Sequence, residues 1–158
     1  MDTRLTADER QIAIDRLTSS RDLLLCAVRG VSDTQAAFTP ERGRWTILQP
    51  VEHLAIGDPG LLRRIQRGLS QPAQPELMEE VRQKDHRFKG GLKPLPRGVN
   101  KAPEDVLPTG QYPDLSQAIA DFKKNRAITI EFARQTNDEL RSHFVPHTLL
   151  GPWTATSG

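Results

Sequence analysis

The run Arg44-Trp45-Thr46-Ile47-Leu48-Gln49-Pro50-Val51-Glu52-His53-Leu54 decides how the chain is read. Thr46 and Gln49 stand at the spacing of a capping box, in which two side chains satisfy two otherwise orphan backbone amides. Trp45 precedes the cap and Pro50 falls four residues after it, the positions of a hydrophobic staple. Pro50 is tolerated in a first turn, where the amide it lacks has no helical partner. Ile47, Val51, Leu54, Leu61 and Ile65 continue one apolar face, so the spacing predicts a long amphipathic helix. Gly57-Asp58-Pro59-Gly60 interrupts that face. A proline in a regular helix interior costs about 3 kcal/mol, so a kink or a break is expected there.

Toward the N-terminus, Thr6 and Glu9 form a second capping box. Leu17, Leu24, Val28 and Val31 follow at helical spacing, and Gly30 with Ser32-Asp33 ends that helix in turn chemistry. Phe38 to Arg44, with Pro40 and Gly43, reads as a connection. Toward the C-terminus, residues 70–114 hold seven of the twelve prolines, at 72, 75, 94, 96, 103, 108 and 113. A short helix is expected over Pro75 to Arg87, and the rest reads as a long crossover loop. Asp114, with Gln117 in the box position, opens the third long helix. Its face carries Leu115, Ile119, Phe122, Ile130 and Ala133 and reaches toward Leu140, with Arg126 inside the stripe. Pro146, Gly151 and Pro152 then break the chain. No alternating strand pattern and no repeat is visible. The expected fold class is all-α, with three long helices that need a fourth surface to cover their apolar faces.

The 158 residues suit one domain, 1–158. Charged residues are 27% and the hydrophobic set is 36%, which excludes wholesale disorder. Lys+Arg 22 against Asp+Glu 20 leaves a net charge of +2, which argues against nucleic acid as a partner. No apolar run reaches the ~18 residues of a membrane span, and Met1-Asp2-Thr3-Arg4 lacks the order of a signal peptide. The expectation is a soluble cytoplasmic protein with no membrane partner. A lone Cys26 forms no internal disulfide and reads as a small core residue on the first helix.

Four histidines are the chemical candidates: His53, His86, His143 and His147. His53 sits beside the apolar face of its helix, with Gly57 and Gly60 one and two turns below, so open space is expected next to the ring. Two readings stand: a core-edge histidine bonded to a neighbour, or a metal ligand or general base. His143 and His147 have the i,i+4 spacing of a helical metal pair, but Pro146 between them disfavours helical geometry. His86 lies among Arg82, Lys84, Asp85, Arg87 and Lys89 and reads as solvated. Arg82 to Lys101 holds seven Lys/Arg, one Asp and one aromatic, Phe88, which suits a solvated loop or the rim of an anionic-substrate site. Arg126 in an apolar stripe needs a carboxylate or several carbonyls. A structural tie and a ligand-orienting role are both open.

The run from Arg44 to Leu54 resembles the "W-S/T-x-x-E/Q-x-x-x-H-L" segment that opens the second helix of the DinB-like superfamily. The run His143-Phe144-Val145-Pro146-His147-Thr148-Leu149-Leu150-Gly151-Pro152-Trp153-Thr154 is similar to that family's "H-P-x-x-G-x-x-T" lead into its last helix. Ala102-Pro103-Glu104 and Pro108-Thr109-Gly110 resemble the middle of some members. The resemblance implies an up-down-down-up four-helix bundle, often dimeric, with a long proline-rich crossover loop. It further implies a divalent metal (Zn, Ni, Mn or Fe) held by three histidines. His53 matches the one from the second helix, and the other two come from an H-x-x-x-H on the last helix. His147 matches a loop histidine, not a ligand. The sequence stops at Gly158 where that last helix would begin, and no residue matches its H-x-x-x-H, so the expectation is a domain incomplete at its C-terminus, the last helix missing or truncated. By resemblance the function is a metal-dependent enzyme of the thiol-dependent transferase or hydrolase type, acting on a small-molecule substrate or thiol. The alternative is a non-catalytic structural module that buries its apolar faces as a homodimer.

Overall fold

The computed structural model describes residues 3–80, 104–147 and 151–153. The chain is all-α in its long elements: α1 (Ala7–Ala27), α2 (Asp33–Ala37), α3 (Leu48–Leu69) and α4 (Leu115–Gln135). Capping starts them. The Thr6 amide donates to Glu9 Oε2 at 2.9 Å and the Glu9 amide to Thr6 Oγ1 at 3.3 Å. The Thr46 amide donates to Gln49 Oε1 at 2.8 Å and the Gln49 amide returns to Thr46 Oγ1 at 3.3 Å. At α4 the Gln117 amide donates to Asp114 Oδ1 at 2.8 Å. That bond, with one from the Ser116 hydroxyl, holds the Asp114 carboxyl below its usual range.

The chain divides into two compact units. One comprises Arg10–Leu61 and Ala102–Gln135 and contains a small core: Val28, Ala36, Val51, Leu115 and Ala118, with Leu24, Val31, Leu48, Tyr112 and Ile119 packed on it. Within this unit α1 runs antiparallel to α4. Arg10 Nη1 donates to the carbonyls of Ala133 and Arg134, whereas Leu17 and Ser20 meet Arg126 further back. Helix α3 runs parallel to α4: Val51 shares the cluster with Leu115 and Ala118, then Ala55 meets Asn125 and Asp58 meets Arg126. Parallel neighbours cannot be joined by a tight turn, and the sequence from Leu69 to Leu115 is correspondingly long.

The second unit comprises Met1–Glu9, Leu62–Lys101 and Thr136–Gly158. Here Arg141 is the organiser: its backbone amide donates to the Thr3 carbonyl at 3.1 Å, and its guanidinium meets Glu9 and the Arg4 carbonyl. The Gln74 amide donates to the Ser142 carbonyl at 2.7 Å. Gly68 lets the chain pass closely, since a Cβ there would stand 3.0 Å from Val145 Cγ2 and 3.5 Å from the Phe144 carbonyl oxygen.

Several expectations need correction. Helix α3 is unbroken through Pro59. Proline offers no amide to the Ala55 carbonyl four residues back. Asn125 Nδ2 donates to that carbonyl instead, at 2.9 Å, so a side chain from α4 replaces the missing helical donor. The buried face of α3 is Val51, Glu52, Ala55 and Leu62, while Ile47 and Leu61 are exposed. Cys26 is exposed, because it lies two residues from both Leu24 and Val28 and so faces away from the row they form. Ser32 and Gln35 cap the five-residue α2, where only a turn was expected. The expected helix over Pro75 to Arg87 begins with a 3-10 turn at Pro75–Leu77 and helical residues 78–80, and its remainder lies outside the described residues. Val145–His147 and Gly151–Trp153 form a short antiparallel hairpin that pairs Pro146 with Pro152. Prolines at both centres favour extended backbone, and three-residue strands are too short to show a period of two.

Candidate functional site

His53 and Glu52 are neighbours on α3, and both hold the segment 104–112. A 3-10 turn at Glu104–Val106 starts this segment. The Val106 carbonyl lies 2.7 Å from His53 Nδ1. A carbonyl oxygen only accepts, so Nδ1 carries the proton and donates; in the neutral ring Nε2 then holds the lone pair. Among the described residues no hydrogen bond reaches Nε2. The Trp45 ring stands against the imidazole, with centroids 5.6 Å apart and planes tilted by 53°. At Gly57, one turn along from the ring, a Cβ would just reach van der Waals contact with Val106 Cγ1 at 4.0 Å, so Val106 bounds the space there without filling it.

Glu52 is 1% exposed. Its Oε1 accepts the amides of Thr109, Gly110 and Gln111 at 2.9, 2.8 and 3.0 Å. Gly110 has φ +76°, a left-handed conformation that turns successive amides toward one acceptor. Tyr112 closes the segment, its hydroxyl donating to Asp121 Oδ2 at 3.0 Å. Partial burial, and then that bond to a carboxylate, push the Tyr112 phenol above its usual range. The sequence reading passed over Glu52. The signal was present: Leu48, Glu52, Ala55 and Leu62 recur at four, three and seven residues, the spacing of a buried stripe.

Arg126 is a structural tie. Its Nε and Nη2 meet Asp58 Oδ2 and Oδ1 at 2.6 and 3.0 Å, and Nη1 donates to Ser20 Oγ at 2.8 Å and the Leu17 carbonyl at 3.2 Å. Its Cζ also lies 5.2 Å from the centroid of the Phe122 ring. Four donor contacts, two of them to one carboxylate, satisfy a guanidinium that is 8% exposed.

The other histidines stand elsewhere. His143 Nδ1 donates to the Gly68 carbonyl at 3.2 Å, a second donor on a carbonyl in the last turn of α3 that also accepts the Gln71 amide at 3.0 Å. His147 belongs to the first strand of the hairpin. His86 and the basic stretch from Arg82 to Lys101 lie outside the described residues.

A catalytic zinc takes three protein ligands. Among the described residues no group of three His, Cys, Asp or Glu side chains is placed to hold a metal ion. Glu52 Oε1 is taken up by backbone amides. His53 fits a single ligand position: a ligating histidine commonly donates its other ring N–H to a carbonyl, as Nδ1 does here. The described residues therefore do not by themselves complete a metal centre. Among them, no helix is long and apolar enough to cross a membrane.

No curated protein and no solved structure matches the chain. The sequence model of the DinB superfamily matches residues 16–157, a span that includes α3 with His53, the 104–112 segment and α4. The chain belongs to the DinB superfamily.

Proposed function

We propose that this chain is a metal-dependent enzyme of the transferase or hydrolase type, in which His53 is a ligand of a divalent metal through Nε2. The observation that carries the reading is the Nδ1 bond to the Val106 carbonyl, which leaves the lone pair on Nε2. A bound divalent metal supplies Lewis acidity, lowering the pKa of a coordinated water or thiol. The chain's own residues prepare the position. Val106 fixes the ring's tautomer, Trp45 limits its rotation from one side, and Glu52 anchors the segment that carries Val106. The reacting partner in this reading is a small-molecule substrate or a thiol.

The test is elemental analysis of the purified chain after exposure to Zn, Ni, Mn or Fe and removal of excess ion. About one ion per chain is expected, with loss of most of it in His53→Ala. Unchanged metal content in that variant would refute the assignment.

A second reading has its own support. Helix α1 has no fully buried residue, and Leu23 (71% exposed), Phe38 (66%), Ile128 (50%) and Ile12 (49%) are open to solvent. Under this reading the chain is a non-catalytic module that associates as a homodimer. Light scattering decides it: a stable monomer that shows no association at high concentration counts against it.

A further inference from the structure

We propose that Glu52 is the positioning residue for His53, acting through the backbone of residues 106–111 and not through contact with any ligand. The proposal rests on the reading of His53 Nε2 as the ligand position.

Glu52 and His53 are adjacent on α3, yet they do not address one another. Each addresses the same short segment. Glu52 Oε1 gathers the amides of Thr109, Gly110 and Gln111, and His53 Nδ1 donates to the Val106 carbonyl. Only Leu107 and Pro108 separate that carbonyl from the first amide, and Pro108 has its φ fixed by its ring. The Leu107 amide donates to the Glu104 carbonyl at 3.2 Å, so the segment is tied ahead of Val106 as well. Val106 itself packs toward Gly57, one turn along α3 from His53. The carbonyl that chooses the tautomer is therefore held from three sides, and the strongest hold is a carboxylate with three amide donors.

A buried acidic side chain is costly unless its oxygens are hydrogen-bonded. Stability alone would be served by an apolar residue at position 52, continuing the stripe of Leu48, Ala55 and Leu62. Glu52 instead converts burial into a fixed backbone position beside the histidine. If the segment drifts, the Nδ1 bond loosens and the ring is free to carry its proton on Nε2, where it no longer offers a lone pair.

The experiment is a long-range proton–nitrogen NMR spectrum of the histidine rings in the wild-type chain, Glu52→Gln and Glu52→Ala, with amide exchange at residues 109–111 read in parallel. No metal is present, so a chain that fails to bind metal refutes the proposed function and leaves this coupling to be judged separately. In the wild type the His53 proton is expected on Nδ1. In Glu52→Gln the amides of 109–111 should exchange about tenfold faster, as a charged acceptor is exchanged for a neutral one. Part of the His53 population should move its proton to Nε2, and Glu52→Ala should carry this further. The ring signals of His143, whose Nδ1 bonds to Gly68, should stay unchanged in both variants and report an intact fold. Should the alanine variant unfold, the glutamine variant decides alone. A wild-type His53 tautomer in Glu52→Gln despite faster exchange overturns the proposal, and so does exchange at the wild-type rate.

Discussion

Arg126 and Arg141 each meet a carboxylate, but in surroundings that give the two pairs different jobs. The side chains of Arg126 and Asp58 are 9% and 12% exposed, whereas those of Arg141 and Glu9 are 23% and 42% exposed. Arg126 also draws on Ser20 and the Leu17 carbonyl, so its donors are spread over α1 and α3 from a position in α4. Arg141 draws on Glu9 and on the backbone at Thr3 and Arg4, and so fastens an N-terminal segment. Water can replace much of what Arg141 provides. It cannot easily replace what Arg126 provides, because breaking a buried pair strands the partner charge.

Single and double replacements separate the two. Arg126→Ala should destabilise by about 3–5 kcal/mol, since Asp58 is left buried and unpaired. Replacing both partners with apolar residues, Arg126→Met with Asp58→Leu, should recover most of that loss. Equal losses from the single and double variants in denaturant unfolding would show that the pair, and not the stranded charge, sets the cost. A smaller effect belongs to the neighbour of this pair. Asn125→Ala should cost about 1–3 kcal/mol by leaving the Ala55 carbonyl without its substitute donor. In a Pro59→Ala background the backbone amide returns, and the same substitution should cost markedly less. Additive effects in this cycle would contradict the assignment of Asn125 as Pro59's replacement donor.

The surface pair should give the least. Arg141→Ala should cost at most about 1 kcal/mol at neutral pH, because Glu9 is open enough for solvent and salt to screen it. Its pH dependence is the sharper signature. Partial burial raises the Glu9 carboxyl, but hydrogen bonds from Arg141 and Thr6 outweigh it and bring it from 4.5 to about 2. A carboxyl held lower in the folded chain contributes stability above its unfolded value and loses it as pH falls. The contribution should therefore be complete above pH 4.5 and fade toward pH 2, and Arg141→Ala should flatten that slope. An unchanged slope in acid unfolding of the variant would place the effect elsewhere.

What was legible in the sequence was local. Three long helices were readable because their caps are short-range signals: Thr6 with Glu9, Thr46 with Gln49, Asp114 with Gln117. The same spacing in Ser32 and Gln35 was present and was read only as a turn, since five residues show no periodicity. The buried stripe of α4 was readable, including Arg126. What escaped depends on residues far apart in the chain. Pro59 reads as a break until Asn125 is brought beside Ala55, and Arg126 shows a need for a partner without naming Asp58. Glu52 reads as one more charge on a helix until the amides of 109–111, over fifty residues later, arrive around it. His53 stood out by its motif, whereas the nitrogen that remains available on it depended on Val106.

The central claim is that His53 offers Nε2 to a divalent metal, and one titration addresses it directly. Zn²⁺ is added to the full chain at slightly alkaline pH while the ring nitrogens of His53 and His143 are followed by NMR. The account predicts that the His53 Nε2 signal shifts with the first equivalent of metal while its Nδ1 proton stays in place. A His53 ring that is unmoved, with zinc either unbound or taken up at other residues, would contradict it.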